Sequence, residues 1–146
     1  FIAIASTRPE PQSQQFIFYF DGSRFHRIPT AGLSYTASGV WFIPQKVYYI
    51  VGNFVYKTFH LGQPWQREPG HPQIFKSAIR GEAVNDVLIV GAFGLVSHFN
   101  GVSWHHFTGE LPQFYGTYGS MDYKGGLLVA GGWRGEKAIV LLGGHQ

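Results

Sequence analysis

The chain has 146 residues, 45% of them hydrophobic and only 13% charged, which excludes a disordered segment and fits one domain with a core. Its formal net charge is +3, but the Lys and Arg residues are scattered, and binding to phosphates needs a basic cluster, so no nucleic-acid partner is expected. The absence of cysteine excludes disulfides and zinc–thiolate sites, and no apolar run reaches the roughly 18 residues of a membrane span.

The 20 glycines and the 17% of aromatic residues indicate short strands joined by tight turns, because glycine allows positive φ and aromatic rings fill pleated surfaces. The first such strand is predicted over Ile2–Ser6, directly after Phe1. A natural N-terminus rarely opens inside a strand. We therefore expect a processed product or a fragment, in which a signal peptide is not visible.

Three short segments share one turn pattern, in which a glycine precedes an aromatic residue by three positions. They are residues 20–25 (FDGSRF), 60–65 (HLGQPW) and 99–104 (FNGVSW), and their glycines are 40 and 39 residues apart. Asp-Gly and Asn-Gly between alternating apolar runs are strong hairpin signals, because both turn residues tolerate positive φ. Hairpins at one constant spacing indicate an internal repeat.

A second marker of the repeat is a short apolar strand that ends in glycine. The predicted strands are Val47–Gly52 (VYYIVG), 87–91 (VLIVG) and 127–131 (LLVAG), with final glycines 39 and 40 residues apart. Both complete copies have ten residues from this glycine to the turn glycine, Gly52 to Gly62 and Gly91 to Gly101. Two landmarks that keep one period and one phase define a unit of about 40 residues.

Each unit of about 40 residues is predicted to contain four strands. An inner strand (39–43, 78–82 or 119–123) precedes the apolar strand, a third strand (55–59 or 95–99) follows it, and the glycine turn leads to an outer strand (65–67 or 104–107). No segment has a sustained 3.6-residue period, so little helix is expected. We therefore predict an all-β fold, a partial β-propeller of about three and a half four-stranded antiparallel blades.

The predicted blades divide a single propeller sector, residues 1–146, at approximately 1–28, 29–69, 70–110 and 111–146. In this phase the first blade lacks its inner strand, and the last lacks its outer strand because the chain ends at the next glycine turn, Gly143-Gly144. Propellers normally close into rings that leave no open strand edge. We therefore expect further blades as partners, from a longer chain of which this is a fragment or from other copies.

Residues 85–91 (NDVLIVG) and 94–104 (GLVSHFNGVSW) resemble the blade repeat of bacterial secreted β-propeller proteins, which reads ND-apolar-VG-x-x-G-x-apolar-x-H-F/Y-N/D-G-x-x-W. Residues 137–143 (KAIVLLG) are similar to the last strands of such proteins, so the chain resembles their C-terminal portion. The middle unit departs from the pattern, with Leu61-Gly62 in place of Asn-Gly or Asp-Gly. The resemblance implies a propeller, an extracytoplasmic or secreted location, and no dependable activity.

No motif supplies catalytic, cofactor-binding or metal-binding residues. The glycine-rich stretches 91–94 and 131–135 lack the Lys-Ser/Thr of a phosphate loop and a helix after it. Glu82 and Asp86 flank a predicted turn that Asp86 caps, and neither has a clear second carboxylate for glycosidase chemistry. The histidines show no helical ligand spacing, so no metal site is expected; they are His26, His60, His71, His98, His105, His106 and His145.

Aromatic residues remain as candidates for function. Phe25, Trp65 and Trp104 recur in phase with the repeat, so we expect them to pack between blades. Four other rings do not recur in phase, and such rings either pack in the core or, when exposed, stack on sugars and anchor protein partners. With Glu82 and an arginine, they form the predicted binding surface: Trp41, Glu82, Tyr115, Tyr118, Trp133 and Arg134.

The sequence favours a non-catalytic module that serves as a protein-interaction or structural scaffold within a larger ring or assembly. An alternative is a lectin-like propeller, in which the unmatched aromatic rings and polar groups hold glycans. A weaker alternative is an enzyme fragment whose active site needs further blades. Fold alone does not choose among them, because propellers host many functions.

Overall fold

The computed structural model describes residues 1–7, 14–34 and 37–144, and in these ranges the chain forms fourteen β-strands and no helix. The predicted all-β class is confirmed. None of the residues so described belongs to a helix long and apolar enough to cross a membrane.

The strands form four antiparallel sheets, each made of strands that follow one another in the chain. The first sheet contains β1 (Ile2–Ser6), β2 (Gln15–Phe20) and β3 (Phe25–Ile28). The second contains β4 (Ala37–Ile43), β5 (Val47–Gly52), β6 (Val55–Thr58) and β7 (Gln66–Arg67). The third contains β8 (Lys76–Ala83), β9 (Asp86–Gly91), β10 (Val96–Phe99) and β11 (Trp104–His106). The fourth contains β12 (Gly116–Lys124), β13 (Leu127–Arg134) and β14 (Lys137–Gly144).

The hairpin turn between β2 and β3 closes through one short polar side chain. Asp21 Oδ1 accepts hydrogen bonds from the backbone N–H groups of Ser23 and Arg24, at 2.8 and 3.0 Å. Gly22 between them has a φ of 110°, which only glycine adopts without strain. Asn100 makes the equivalent pair of bonds in the turn between β10 and β11, so the hairpins predicted from Asp-Gly and Asn-Gly are confirmed.

The four sheets stack in chain order. We call the face of a sheet that is turned towards the preceding sheet its leading face, and the face turned towards the next sheet its trailing face. In β5 the leading side chains are Tyr48 and Ile50, which pack against Ile17 of the first sheet. The trailing side chains are Tyr49 and Val51, which pack against β9 of the third sheet. All of these side chains are buried. The core is therefore a series of interfaces between neighbouring sheets.

The interface between the third and fourth sheets follows the same plan. Leu88 and Val90 on the trailing face of β9 pack against Leu128 and Ala130 on the leading face of β13. The first strands of successive sheets are also neighbours, with β1 against β4, β4 against β8 and β8 against β12. No described strand of the first sheet pairs with one of the fourth, so the four sheets do not close on themselves.

The second, third and fourth sheets share a glycine placed opposite a β-bulge. Gly52, Gly91 and Gly132 each pair with the residue immediately before the bulge in the neighbouring strand. The backbones approach so closely that a Cβ on Gly132 would lie 1.9 Å from the carbonyl oxygen of Thr117. The sequence analysis took Gly131 as the strand-ending equivalent of Gly52 and Gly91, but β13 continues to Arg134 and the equivalent glycine is the next residue, Gly132.

This one-residue correction exchanges the two faces of β13, because successive side chains in a strand point to opposite faces. Leu128 and Ala130 take leading positions and are buried, whereas Leu127 and Val129 take trailing positions and are exposed. The trailing face of the fourth sheet therefore has no sheet packed against it. Its exposed apolar side chains are Leu127, Val129, Trp133, Val140 and Leu142.

The leading face of the first sheet is the other face without a partner sheet. Its side chains, placed by the pairing of β1 with β2 and of β2 with β3, are Ala3, Ala5, Phe16, Phe18, Phe20, Phe25 and Arg27. The rings of Phe16 and Phe18 stack with centroids 6.2 Å apart, and the Arg27 guanidinium lies over Phe16. None of these side chains belongs to a hydrophobic core cluster formed by the described residues.

Two further sequence predictions are corrected by these faces and strands. Phe25 was expected to pack between blades, but its side chain is 64% exposed on the unpartnered leading face. Trp65 and Trp104 do lie in clusters between sheets, as expected. The predicted turn at Gly143-Gly144 is instead part of β14, where both glycines pair with β13.

Candidate functional site

Three chain connections meet at one end of the third and fourth sheets. Phe93 lies in the turn between β9 and β10, Tyr115 immediately precedes β12, and Trp133 and Arg134 end β13. The backbone N–H of Phe93 donates to the carbonyl of Gly116, 2.8 Å away. We call Phe93, Tyr115, Trp133 and Arg134 the aromatic patch.

The rings of the aromatic patch are exposed to solvent. Tyr115 is 76% exposed, Phe93 50% and Trp133 45%. The rings of Tyr115 and Trp133 meet edge to face, with centroids 5.7 Å apart and planes at 73°. Large exposed rings held on rigid elements are the side chains that most often anchor protein interfaces.

The backbone of Phe93 adopts a conformation that its residue type disfavours. Its φ is 55°, in the left-handed region, and Gly94 follows with a φ of 79°. For a residue with a Cβ this conformation costs on the order of 1 kcal/mol or more. Such strain persists where the surrounding structure imposes it, and it occurs most often at functional sites. The residue with this backbone conformation carries a ring that is 50% exposed.

Arg134 gives the aromatic patch a positive charge. Its guanidinium carbon lies 5.8 Å from the ring centroid of Phe114, which is buried beneath the patch. Burial raises the pKa of nearby Tyr118, and the positive charge of Arg134 opposes this rise. Because successive side chains of a strand point to opposite faces, this cation lies on the side of β13 opposite to the Trp133 ring, towards Phe114.

Two predicted binding residues lie away from the aromatic patch and take part in packing. Tyr118 is buried, with its ring against Phe114, so it offers no surface to a ligand. Trp41 is half-buried between the second and third sheets, where it stacks on Tyr49. Its ring lies directly over Gly81, where a Cβ would come within 2.7 Å of it. For these two rings the core-packing interpretation is the one the geometry supports.

Glu82, the predicted acidic member of the binding surface, bridges two sheets. Its carboxylate oxygens accept hydrogen bonds from the backbone N–H groups of Gly125 and Gly126, at 2.6 and 3.0 Å. These amides belong to the turn between β12 and β13 of the next sheet. Glu82 is exposed, but both of its oxygens already bind this turn, and the contact accounts for its presence on the inner strand.

A second cluster of polar groups lies beside a cavity of about 250 Å³ between the third and fourth sheets. Asp86 accepts hydrogen bonds from the Tyr123 hydroxyl, at 2.9 and 3.0 Å, and lies 2.8 Å from His98 Nε2. Burial and the contact with Asp86 raise the pKa of Tyr123 to about 12. Asp86 was expected to cap a turn, and that prediction was wrong because its carboxylate joins two sheets.

The cavity offers little chemistry beyond this network. Its described lining is mostly leucine, valine, phenylalanine and glycine, with His98 and Tyr123 as its polar groups. Both are engaged with Asp86, and no serine or second carboxylate stands among the described lining residues to serve as a nucleophile or as a paired acid. The arrangement ties the two sheets together.

Histidine residues were weighed as metal ligands in the sequence. No group of three His, Asp or Glu side chains suited to a metal ion occurs within residues 1–7, 14–34 and 37–144. His71 and His106 lie together, with ring centroids 5.2 Å apart, against the buried Lys76. Burial lowers the pKa of His71 to about 3 and that of Lys76 to about 8. His145 lies outside the described residues.

Comparison with known proteins adds no assignment. No protein family matches the chain, no curated protein matches its sequence, and no solved structure matches its fold. Interpretation of the site therefore depends on the geometry of the aromatic patch.

The structure brings together three of the predicted binding residues, Tyr115, Trp133 and Arg134, and adds Phe93, which sequence reasoning missed. The available signal was the position of Phe93 itself, between a strand-ending Gly91 and Gly94.

Proposed function

We propose that the four sheets are adjacent blades of a β-propeller. Support comes from the stacking of four antiparallel sheets in chain order, with the first strands of successive sheets side by side. The spacing of the shared Gly52, Gly91 and Gly132 fits blades of about 40 residues. We retain the extracytoplasmic or secreted location as part of this proposal.

We infer that the chain is a non-catalytic interaction module whose aromatic patch binds a protein partner. The observation that carries this inference is the exposure of Phe93, Tyr115 and Trp133 together, with Phe93 held outward by a strained backbone. Aromatic residues and arginine are enriched among the residues that dominate binding energy at protein interfaces. The partner segment suited to this surface is apolar and carries an acidic group to pair with Arg134.

A displayed library of random peptides tests this function without a known partner. Peptides selected on the wild-type chain are expected to be apolar and acidic. Their affinity for the Tyr115→Ala variant should be about tenfold lower or more, because truncating an anchoring ring costs more than about 1 kcal/mol of binding free energy. Affinity is measured by titration of each synthetic peptide.

The matched control for this experiment is Phe59→Ala, which removes another exposed ring, just after β6 of the second sheet and away from the aromatic patch. Selected peptides should bind this control as they bind the wild type. Peptides that bind Tyr115→Ala and the wild type equally would place the preferred binding surface elsewhere and contradict the proposed function.

A lectin-like function is the second candidate, and the exposed rings of Tyr115 and Trp133 are the observation that favours it. Sugar binding uses flat stacking, and the angle of 73° between these rings leaves only one of them able to lie along a given sugar face. This geometry favours a protein over a glycan. Binding on a glycan array that is abolished by Trp133→Ala would reverse that preference.

A further inference from the structure

We propose that Asn100, in the turn between β10 and β11, is a site of spontaneous deamidation, and that its aspartyl product closes this turn in the way that Asp21 closes the turn between β2 and β3. Asn100 is followed by Gly101, and both residues are exposed. A glycine in the second position favours the reaction, because no side chain shields the backbone nitrogen that attacks.

The reaction needs only water and the atoms of the turn. The backbone nitrogen of Gly101 forms a bond to Cγ of Asn100, the bond between Cγ and Nδ2 breaks, and the proton of the attacking nitrogen leaves with Nδ2 as part of ammonia. One water molecule then opens the five-membered succinimide. Attack of water on Cγ gives aspartate at position 100, and attack on the backbone carbonyl carbon gives isoaspartate, in which the main chain runs through the side chain.

The turn polarises the side-chain carbonyl of Asn100. Oδ1 accepts hydrogen bonds from the backbone N–H groups of Val102 and Ser103, both at 2.9 Å. These donors draw electrons from Cγ and stabilise the negative charge that develops on Oδ1 when the nitrogen of Gly101 adds to it. Within the described residues, neither Asn100 Nδ2 nor the backbone N–H of Gly101 donates a hydrogen bond, so the leaving group and the attacking nitrogen are both unengaged.

The turn between β2 and β3 is the same turn with an aspartate in place of the asparagine. The Oδ1 atoms of Asp21 and Asn100 each accept hydrogen bonds from the backbone N–H groups two and three residues further on, at 2.8 to 3.0 Å. The glycines that follow them, Gly22 and Gly101, have φ values of 110° and 94°. Deamidation to aspartate therefore requires no change in the backbone of the turn.

The new carboxylate also has a histidine placed to pair with it. The second oxygen of Asp21 contacts His26, which lies five residues further along the chain on β3. His105 on β11 lies five residues after Asn100, and its Nε2 is 2.7 Å from a carboxylate oxygen of Glu110. The aspartyl product is therefore expected to bind His105 as Asp21 binds His26, in competition with Glu110.

The isoaspartyl product has no counterpart elsewhere in the described chain. It lengthens the main chain by one CH₂ group in a turn that is already tightly packed, since a Cβ on Gly101 would lie 2.5 Å from Cβ of Asn85. The strand that follows, β11, has only three residues, and the ring of its Trp104 packs in the cluster between the second and third sheets. We therefore expect the isoaspartyl chain to be less stable than the aspartyl chain.

The site is tested by incubating the 146-residue chain for weeks at mildly alkaline pH and mapping its peptides by mass spectrometry. The peptide that contains Asn100 should gain the mass that separates a carboxylic acid from an amide. The other two asparagines are internal controls, because Asn53 and Asn85 precede residues with side chains and should stay unchanged while Asn100 converts. Conversion of either control before Asn100, or of none of the three, would overturn the proposal.

The Asn100→Asp variant tests whether the aspartyl product keeps the turn. The backbone amides of Val102 and Ser103 should exchange with solvent as slowly in this variant as in the wild type, because the carboxylate accepts the same two hydrogen bonds. In Asn100→Ala, which lacks the acceptor, both amides should exchange several-fold faster. Exchange in Asn100→Asp as fast as in Asn100→Ala would mean that the carboxylate does not close the turn, contrary to the proposal.

The isoaspartyl fraction, separated by chromatography after the incubation, should unfold at a lower urea concentration than Asn100→Asp. Equal unfolding midpoints for the two would contradict the expected strain of a lengthened turn. Asn100→Gln is the matched control for the incubation, because it keeps an amide but would have to form a six-membered ring, which closes much more slowly. This variant should show no mass change at position 100 and no less stable fraction; the same change there would assign the reaction to hydrolysis of the amide by water rather than to attack by Gly101.

Discussion

Phe93 combines an exposed ring with a backbone conformation that favours glycine, so its two properties can be separated by substitution. Phe93→Ala removes the ring but keeps a Cβ, and Phe93→Gly removes both. We expect the Gly variant to be more stable than the Ala variant by about 1 kcal/mol, the reverse of the usual order in a strand or helix. Urea denaturation of the two variants measures this difference.

The comparison has a control at a position of ordinary backbone geometry. Val102 is exposed in a neighbouring turn, and its φ is not in the positive range. There Val102→Gly should be less stable than Val102→Ala. If Phe93 followed the order seen at Val102, its backbone would carry no strain, and the argument that strain holds the ring outward would be lost.

His71 makes the stability of the chain sensitive to acid. Its pKa is about 3 in the folded chain because of burial and the nearby charges of His106 and Lys76, against about 6.5 in an unfolded chain. Between these values the unfolded chain binds the extra proton, so unfolding becomes easier as the pH falls below 6.5. The free energy of unfolding is expected to fall by up to about 1 kcal/mol per pH unit. The fall is smaller than for a fully buried group because the ring is partly exposed.

Urea denaturation at neutral and acidic pH measures this dependence, and His71→Gln should flatten it. The control is His105→Gln, because His105 is exposed and pairs with Glu110 at the surface. An equally steep loss of stability in His71→Gln and in the wild type would show that other groups cause the acid sensitivity.

At the scale of strands, the serines in the β-bulges join neighbouring sheets. Ser38 Oγ lies 2.5 Å from the carbonyl oxygen of Lys76 and 3.1 Å from that of Val51. Ser77 Oγ lies 3.1 Å from the hydroxyl of Thr117 on the next sheet. The fourth sheet has Gly119 at the equivalent position, so the series of bulge serines ends there.

Ser38→Ala should lower the free energy of unfolding by about 1 kcal/mol, because the backbone carbonyl of Lys76 loses the hydroxyl that donates to it. Ser77→Ala should cost less, because the Thr117 hydroxyl keeps a bond to the carbonyl oxygen of Tyr118. Thermal and urea unfolding of the two variants measure both values. Equal losses would mean that the Ser38 contact contributes no more than a bond between two side chains.

Most strands could be predicted from the sequence, because the period-two pattern and the Asp-Gly and Asn-Gly turns are local signals. The register of β13 could not. Leu127 to Gly132 contains two adjacent glycines, and either one satisfies a pattern of apolar residues ending in Gly. What selects Gly132 is the close approach of the Thr117 carbonyl, a contact between strands that a sequence pattern does not contain.

The candidate site was predictable only in part, and for a similar reason. Tyr115, Trp133 and Arg134 were identified because they do not follow the repeat, and a residue outside the repeat is free to serve another purpose. Tyr118 met the same criterion but points into the core, since the bulge at the adjacent Gly119 changes which face the strand presents. Irregularity in sequence therefore does not distinguish an exposed ring from a buried one.

At the scale of the whole molecule, stability should be greatest in the middle of the stack. Strands β5 and β9 are buried along nearly their whole length, whereas β1 and β14 have one exposed face. Amide hydrogen exchange is expected to be slowest in β5 and β9 and fastest, among the strands, in β1 and β14. Exchange at one uniform rate in all strands would show instead that the sheets open only together.

The glycine opposite a bulge, shared by Gly52, Gly91 and Gly132, gives the first two strands of the second, third and fourth sheets one common pairing. No bulge interrupts the described pairing of β1 with β2, and the side chains that pack between sheets differ from one interface to the next. The repeat of this chain therefore lies in its backbone. Side chains at one interface can change together without altering how the strands of the other sheets pair.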